Sequence, residues 1–187
     1  AARQVGEALS RSLPNEIKLT VLSDIESVGT EWLWKPYIPM GKITLLTADP
    51  GTGKTFFCLY LAATVSTGRN FYGNLEVSAP SNVIYQTAED GLSDTIKPRL
   101  EPMNPNFEKI ISIDETEKGL SLSDERIEQV INFCRPKLVI FDPLQAYLGA
   151  DVDMHRANEV RPIMAHMARI AERYNCAIVF VMHNSKM

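Results

Sequence analysis

The chain has 187 residues, of which 45% are apolar and 8% aromatic, a composition that predicts a soluble globular protein with a substantial buried core. No apolar run approaches the roughly 20 residues that a membrane span needs, and residues 1–10 lack the apolar segment of a secretory signal, so we expect a cytoplasmic protein without membrane contact. The formal net charge of −4 is not typical of a protein that coats duplex DNA, although a local basic groove or a ring pore remains compatible with it.

The three cysteines, Cys58, Cys134 and Cys176, are odd in number and each lies among apolar residues in the sequence. This pattern favours free thiols in a cytosolic protein over a disulfide framework. We therefore expect all three to be reduced and buried.

The amino-terminal segment, residues 1–31, is predicted to be an arm with an edge strand, and residues 32–187 are predicted to form the core. Residues 1–17 are polar, contain one proline and show no sustained period, so we assign them no chemistry. Residues 19–25 have the apolar pattern of a short edge strand.

The core begins with an aromatic and proline-rich segment, residues 32–39. We favour the interpretation that its aromatic side chains cover an edge of the sheet, because large aromatic residues usually serve packing. The alternative is that Tyr37 or one of the tryptophans flanks the base of a nucleotide bound at the loop that follows.

A glycine-rich loop occupies positions 48–55, with the sequence Ala-Asp-Pro-Gly-Thr-Gly-Lys-Thr. A β-rich apolar run precedes it at residues 43–47, and an apolar helical pattern follows at residues 55–67, which Gly68 is placed to end. Strand, glycine loop and helix in this order are typical of a loop that binds the phosphates of a nucleoside triphosphate. Ala48 stands where the consensus has glycine, a small departure because alanine fits any site with negative φ.

The residue types in this loop match the chemistry of a phosphate site. Gly51 and Gly53 allow backbone N–H groups to approach an anion, and Lys54 supplies a compact positive charge for the β- and γ-phosphates. The Thr55 hydroxyl is placed to ligate Mg²⁺, and the first helical turn offers free N–H groups. The predicted nucleotide contacts are Asp49, Pro50, Gly51, Thr52, Gly53, Lys54, Thr55 and Phe56.

The rest of the core alternates strands with helices. Further strands are predicted at residues 81–87, 109–113, 137–143 and 177–182, and helices at residues 92–100, 123–135 and 158–174. Ser93 is predicted to cap the first of these helices, and Pro98 to limit its regularity. Four consecutive apolar residues before Asp142 favour a strand buried on both faces. The sequence therefore predicts an α/β fold, with a mostly parallel central sheet and helices on both faces.

Four groups capable of phosphate chemistry follow the carboxyl ends of separate strands. They are Lys54 with Thr55, Glu89, Asp142 and His183. Ligands of open α/β sheets bind at this edge, so we expect these side chains to surround one triphosphate. The sequence stops soon after the last of these strands, and we expect the core to continue beyond it.

The chain resembles the RecA-like P-loop NTPases, and among these the hexameric RepA-type replicative helicases, which are AAA ATPases of plasmids, phages and mobile elements. The resemblance covers residues 32–186. It rests on Trp32-Leu33-Trp34, Ile38-Pro39-Met40-Gly41, the phosphate loop, Ala88-Glu89-Asp90, Pro98-Arg99-Leu100, residues 138–142, and His183 with Lys186. It implies a RecA-like ATPase core over residues 32–187, with ATP and Mg²⁺ as cofactors.

The resemblance also implies a role for each residue at a strand end. Glu89 matches the general base that activates the attacking water, with Asp90 as a neighbouring acid, and Asp142 matches the Walker B acid that holds Mg²⁺ together with Thr55. His183 matches a sensor of the γ-phosphate. The structural alternatives are a helix cap for the two acids of the pair, a turn cap for Asp142, and an ordinary hydrogen-bonded histidine.

Lys54 completes the predicted catalytic set of Glu89, Lys54, His183 and Asp142. Three other cations have weaker signals. Lys186 either reaches a phosphate of a neighbouring subunit's nucleotide or of DNA, or belongs to the solvated surface. Arg99 and Arg161 either reach a neighbouring site or form surface ion pairs.

These features predict an ATP-hydrolysing motor subunit of a ring, most simply a hexamer, that acts on single-stranded DNA. The resemblance makes it a DNA helicase in the replication of a plasmid, phage or mobile element. DNA contacts are expected from residues 145–156, which include His155 and Arg156, and from the loop after His183. No arginine has an obvious position for acting in trans, so the arginine finger is expected downstream or from an adjacent subunit.

Two alternatives from other functional classes remain open. The first is a RecA/KaiC-like nucleotide-binding switch or recombination mediator with little turnover, against which Glu89 argues because a binding module needs no base. The second, less favoured, is a small-molecule kinase, which would need an arginine-rich lid and an acceptor pocket.

Overall fold

The structure is a computed structural model and describes residues 19–69, 79–149, 152–154 and 156–183. The chain divides into two units, with the boundary between Thr30 and Glu31. In the first unit, Leu22–Asp24 form one turn of 3-10 helix, so the edge strand predicted at residues 19–25 is wrong. The Asp24 N–H donates to the Val21 carbonyl at 2.9 Å, and this local turn uses backbone groups that a strand would pair with a neighbour.

The second unit begins with an antiparallel ribbon of two strands, β1 (Trp32–Trp34) and β2 (Ile38–Pro39). Leu33 and Ile38 are buried in the core. The Trp34 ring lies 4.6 Å from the Tyr37 ring and 5.6 Å from the Phe57 ring, between centroids. The ribbon therefore packs against the helix that contains Phe57, in agreement with the favoured packing interpretation of its aromatic residues.

A five-stranded parallel sheet forms the centre of this unit. Its strands are β3 (Ile43–Ala48), β4 (Val83–Thr87), β5 (Ile110–Ile111), β6 (Leu138–Asp142) and β7 (Ala177–His183). They lie in the order β3-β7-β6-β4-β5, and every neighbouring pair is parallel. The last strand of the described chain is thus inserted between the strand before the glycine loop and the strand that ends in Asp142.

Helices cover both faces of this sheet. They are α1 (Lys54–Thr67), α2 (Lys97–Leu100), α3 (Glu125–Cys134) and α4 (Ala157–Tyr174). On one face, α1 and α2 pack against Val83, Tyr85, Leu138, Ile140 and Val179. On the other, α3 and α4 pack against Ile84, Val139, Phe141, Ile178 and Phe180. This alternation along each strand is the period of two of a pleated sheet, and it confirms the predicted α/β fold, a RecA-like P-loop architecture.

The ends of α1 follow the sequence prediction closely. Gly68 adopts the left-handed conformation with φ of 67°, and its N–H donates to backbone carbonyls of the last turn, including that of Val65 at 3.3 Å. A Cβ at Gly68 would also lie 2.6 Å from backbone atoms of the Ala79–Pro80 segment. Glycine is therefore required there both by conformation and by close approach.

The helix predicted at residues 92–100 is not a regular α-helix. Leu92–Ile96 form a π-helical turn, and α2 provides a single α-helical turn after it. Ser93 is not the cap, since the cap position belongs to Gly91, which has no capping side chain. Pro98 lacks the N–H that an α-helix would use, which fits the irregular backbone at this point.

Within the part of the chain that the structure describes, no helix is both long enough and apolar enough to cross a bilayer.

Candidate functional site

The glycine loop connects β3 to α1 and is open to solvent. Gly51 has φ of 77° and Gly53 has φ of 89°, values that favour glycine over any residue with a Cβ. A Cβ at either position would meet no atom within 4 Å, so backbone conformation and not crowding requires these glycines. The Thr52 hydroxyl donates to the Asp49 carbonyl at 2.8 Å, which holds the loop closed on itself.

Lys54 begins α1, and its side chain turns back over the loop that precedes it. Its ammonium group donates to the carbonyl oxygens of Ala48 and Asp49 at 2.7 and 2.9 Å, and only 7% of the residue is exposed. A buried ammonium needs such partners, and an anionic oxygen is a stronger partner than a neutral carbonyl. A phosphate bound at the loop could therefore replace these carbonyls as the partner of the Lys54 ammonium.

Asp142 is the last residue of β6 and is 5% exposed. Leu138 and Ile140 point to the face of the sheet that α1 covers, and the alternation along the strand places Asp142 on the same face. Burial first, and then the negative charge of Asp142, raise the pKa of the Cys58 thiol, which lies one turn after Lys54 in α1. The carboxylate therefore lies on the face of the sheet that α1 covers.

Tyr85, on the neighbouring strand β4, contacts this carboxylate. Its hydroxyl donates to Asp142 Oδ2 at 3.1 Å, and burial together with the Asp142 charge raises the pKa of the phenol. From the sequence, a strand was predicted at residues 81–87, with no role for Tyr85. A tyrosine in an apolar strand is the signal for such a contact, because a buried hydroxyl requires a partner.

Glu89 follows the end of β4, the strand next to β6. The register pairs Thr87 with Asp142, and the Ala88 N–H donates to the Asp142 carbonyl at 3.3 Å. The two acids predicted for catalysis, Glu89 and Asp142, thus follow adjacent strands at the same edge of the sheet. The side chain of Glu89 is exposed.

Asp90, the neighbouring acid, is held by two contacts. Its carboxylate accepts from Arg99 at 2.9 Å in an ion pair, and its N–H donates to the Thr87 hydroxyl at 3.3 Å. Arg99 therefore forms an ion pair within this chain, which was one of the two roles considered for it from the sequence.

His183 is the final described residue, and its backbone pairs with Ala48 in the register between β7 and β3. Its backbone is therefore level with the start of the glycine loop. Lys186 lies outside the described residues, as do Asp151 and His155 of the predicted DNA loop. Arg156 of that loop forms ion pairs with Asp153 and Glu159 at 3.4 and 3.2 Å, and Arg161 is exposed on α4.

A polar cluster that was not predicted from the sequence surrounds the side chain of Gln86, on β4. The buried amide accepts from the Ile113 N–H and donates to the Ile113 carbonyl, each at 3.0 Å, and it also donates to Glu115. Tyr147 donates to the same Glu115 carboxylate at 3.3 Å. This cluster ties β4 to the segment that follows β5 and to the turn that follows β6.

The donor atoms near the loop suit a magnesium ion. Among the described residues, His, Cys, Asp and Glu side chains nowhere form a group of three that would hold a metal by themselves. Magnesium in nucleotide sites is held by one or two protein oxygens, with water and phosphate oxygens completing its shell. The Thr55 hydroxyl at the start of α1 and the Asp142 carboxylate are oxygen donors of this kind.

Comparison with known proteins agrees with this geometry. Residues 22–187 match the AAA_25 family, which is described as an AAA domain. Over 148 residues, the chain is 26% identical to the DNA repair protein RadA of Listeria monocytogenes. That alignment covers 78% of this chain and 28% of the relative, so the chain spans less than a third of the length of the protein it resembles.

Proposed function

The chain belongs to the AAA_25 family of AAA domains, and from this premise we propose that it is an ATP-hydrolysing motor subunit that acts on DNA. More specifically, we propose a ring-forming helicase of the hexameric RepA type, which moves on single-stranded DNA during replication. One observation carries the proposal of ATP hydrolysis: β6 directs Asp142 to the sheet face covered by α1, the helix that begins with Lys54.

Binding would use the loop and the start of α1. The Lys54 ammonium would exchange the Ala48 and Asp49 carbonyls for oxygens of the β- and γ-phosphates, which are stronger partners. Backbone N–H groups of the loop would bind the same phosphates, since Gly51 and Gly53 permit the required curvature.

Hydrolysis needs a positioned water and neutralised charge more than covalent help. Thr55 and Asp142 would hold Mg²⁺, whose charge neutralises the phosphate oxygens. Glu89, at the end of the adjacent strand, would orient the attacking water and accept its proton. His183 would contact the γ-phosphate and respond to its loss.

Ring formation is proposed from the resemblance to hexameric helicases and from the arginines described above. Arg99 is paired with Asp90, and Arg156 with Asp153 and Glu159. We therefore propose that an adjacent subunit or a further part of the protein supplies the arginine that stabilises the transition state.

The test is the rate of phosphate release with and without single-stranded DNA over a range of salt concentrations, together with sedimentation of the full-length protein. We expect DNA to stimulate hydrolysis most strongly at low salt, because backbone contacts are electrostatic. Hydrolysis that DNA does not change at any salt concentration, in a protein that sediments as a monomer, would contradict the helicase proposal.

A second candidate function is a recombination mediator or nucleotide-dependent switch, which the similarity to the DNA repair protein RadA favours. Strand separation distinguishes the two candidates. A helicase releases a labelled strand from a forked duplex in the presence of ATP, whereas a mediator binds the same DNA and leaves it paired. A small-molecule kinase is the least favoured candidate, and transfer of labelled phosphate to an added acceptor would be needed to revive it.

A further inference from the structure

Tyr85 and Asp142 form a buried pair between adjacent strands of the sheet. Tyr85 is 1% exposed and Asp142 is 5% exposed, and the phenol donates to Oδ2 of the carboxylate at 3.1 Å. The register pairs Tyr85 with Ile140, so its hydroxyl reaches past its direct partner to the residue two positions further along β6. Long aromatic side chains can bridge this diagonal distance between strands.

Packing within the core holds the Tyr85 ring in place. Ile96 and Leu100 belong to the same buried cluster as Tyr85, and Leu92 lines a neighbouring cavity together with it. Leu92 and Ile96 belong to the π-helical turn that follows the loop carrying Glu89. Since Tyr85 is fixed by its surroundings, its hydroxyl can fix the orientation of the Asp142 carboxylate in turn.

We propose that Tyr85 is a positioning residue that orients the Asp142 carboxylate toward a nucleotide-bound magnesium ion, an inference that rests on the proposed function. The carboxylate of an aspartate can turn about two side-chain bonds, and free rotation weakens its affinity for a metal. A hydrogen bond to one of its oxygens restricts that rotation and leaves the other oxygen available to the metal. Groups that orient metal ligands in this way typically contribute about 10- to 100-fold in metal affinity or activity.

The experiment measures the affinity of a fluorescent ATP analogue for the full chain in excess Mg²⁺ and in excess EDTA. The test variant is Tyr85→Phe, which keeps the ring and removes only the hydroxyl. The matched control is Tyr147→Phe, because Tyr147 is also fully buried and its hydroxyl bonds Glu115 instead of Asp142.

For the wild type and for Tyr147→Phe, we expect Mg²⁺ to strengthen binding by the same factor. For Tyr85→Phe, we expect this factor to fall about tenfold, while the affinity in EDTA stays the same. In an Asp142→Asn background the substitution at Tyr85 should cause no additional loss, because the two residues act on the same ion. If the Tyr85 hydroxyl served only stability, its removal would lower the melting temperature and would not change the factor by which Mg²⁺ strengthens nucleotide binding.

The outcomes separate this inference from the proposed function. A wild type that binds no nucleotide in either condition would overturn both. A wild type with a clear Mg²⁺ effect, and a folded Tyr85→Phe variant with the same effect, would overturn the role of Tyr85 alone. A loss that persists in the Asp142→Asn background would also overturn it, since the hydroxyl would then act elsewhere.

Discussion

The Lys54 ammonium lies 2.7 Å from the carbonyl oxygen of Ala48, the residue at which β3 ends. The side chain therefore reaches back across the loop that precedes it, and neutral carbonyl oxygens are its partners there. An anionic phosphate oxygen would be a stronger partner for the same ammonium group.

Replacement of Lys54 by alanine should abolish tight ATP binding and leave the fold intact. Loss of a charged hydrogen-bond donor costs about 1.5–3 kcal/mol, so the dissociation constant should rise about 10- to 100-fold. Lys42→Ala is the control, because Lys42 lies just before β3 and its exposed side chain only pairs with Glu172 at 3.5 Å. Fluorescence titration with an ATP analogue gives both values, and an unchanged affinity of the Lys54→Ala variant would show that ATP binds elsewhere.

The second prediction concerns Glu89. Glu89→Gln should lower the rate of phosphate release about 10²- to 10⁴-fold, because the amide cannot accept a proton from the attacking water. Binding of ATP should be retained, since the phosphate loop is unchanged. Asp90→Asn is the matched control and should lose less activity, because Asp90 is held by Arg99 and does not face the water in the proposed mechanism. Equal losses in both variants would assign the base to the pair and not to Glu89.

Stability should depend on pH through Asp124, which caps α3 and accepts from the Arg126 N–H at 2.9 Å. Hydrogen bonds from the Arg126 side chain, and then from its backbone, hold the pKa of Asp124 below its ordinary value. A lowered pKa in the folded state means that the ionised carboxylate stabilises the fold above the unfolded-state pKa of about 3.9. This stabilisation is lost as the pH falls toward the lower folded-state pKa.

Two substitutions separate the charge of Asp124 from its capping role. Asp124→Ala should lower the free energy of unfolding at neutral pH by about 1 kcal/mol, the typical cost of a lost cap. Asp124→Asn should lose less at neutral pH, because asparagine also caps helices, and should show a weaker decline of stability in acid. Urea denaturation from neutral pH to pH values below the ordinary carboxyl pKa measures both effects. If the free energy of unfolding of Asp124→Asn falls in acid as steeply as that of the wild type, other carboxylates cause the pH dependence.

The sequence predicted the central strands well, because each is a run of apolar residues that is buried on both faces. Residues 138–142 and 177–182 illustrate this, since their length and composition fit a parallel sheet and little else. The strand order was beyond sequence reasoning. The insertion of β7 between β3 and β6 depends on the pairing of β3 with β7, whose partner residues, such as Ile43 and Ile178, are distant in the sequence.

The sequence predicted the position of Lys54 at the start of α1, after a glycine loop, because a local motif determines it. The site was not predictable where two distant residues meet only through the register, as for Tyr85 with Asp142. The irregularity of residues 92–100 was predicted only in part. Pro98 was expected to limit the regularity of this helix, but the π-helical turn at Leu92–Ile96 lies before that proline, where the local sequence pattern favours an ordinary α-helix.

The last prediction concerns Gln86, a buried amide that bonds the Ile113 backbone and Glu115. Leucine is similar in size to glutamine but cannot form these bonds, so in Gln86→Leu the partly buried Ile113 backbone groups and the Glu115 carboxylate lose partners. An unsatisfied buried polar group costs about 1–3 kcal/mol, which we expect as the loss in free energy of unfolding. Tyr147→Phe removes one bond to Glu115 and should cost less.

Gln86→Glu tests the same cluster by charge. At neutral pH it places a second carboxylate against Glu115, and like charges at such a distance destabilise the fold until one of them takes up a proton. The stability of this variant relative to the wild type should therefore improve as the pH falls, opposite to the trend expected from Asp124. Thermal unfolding at several pH values measures this difference. If Gln86→Leu is as stable as the wild type and Gln86→Glu shows no pH trend of its own, the cluster does not hold β4 to the segments after β5 and β6.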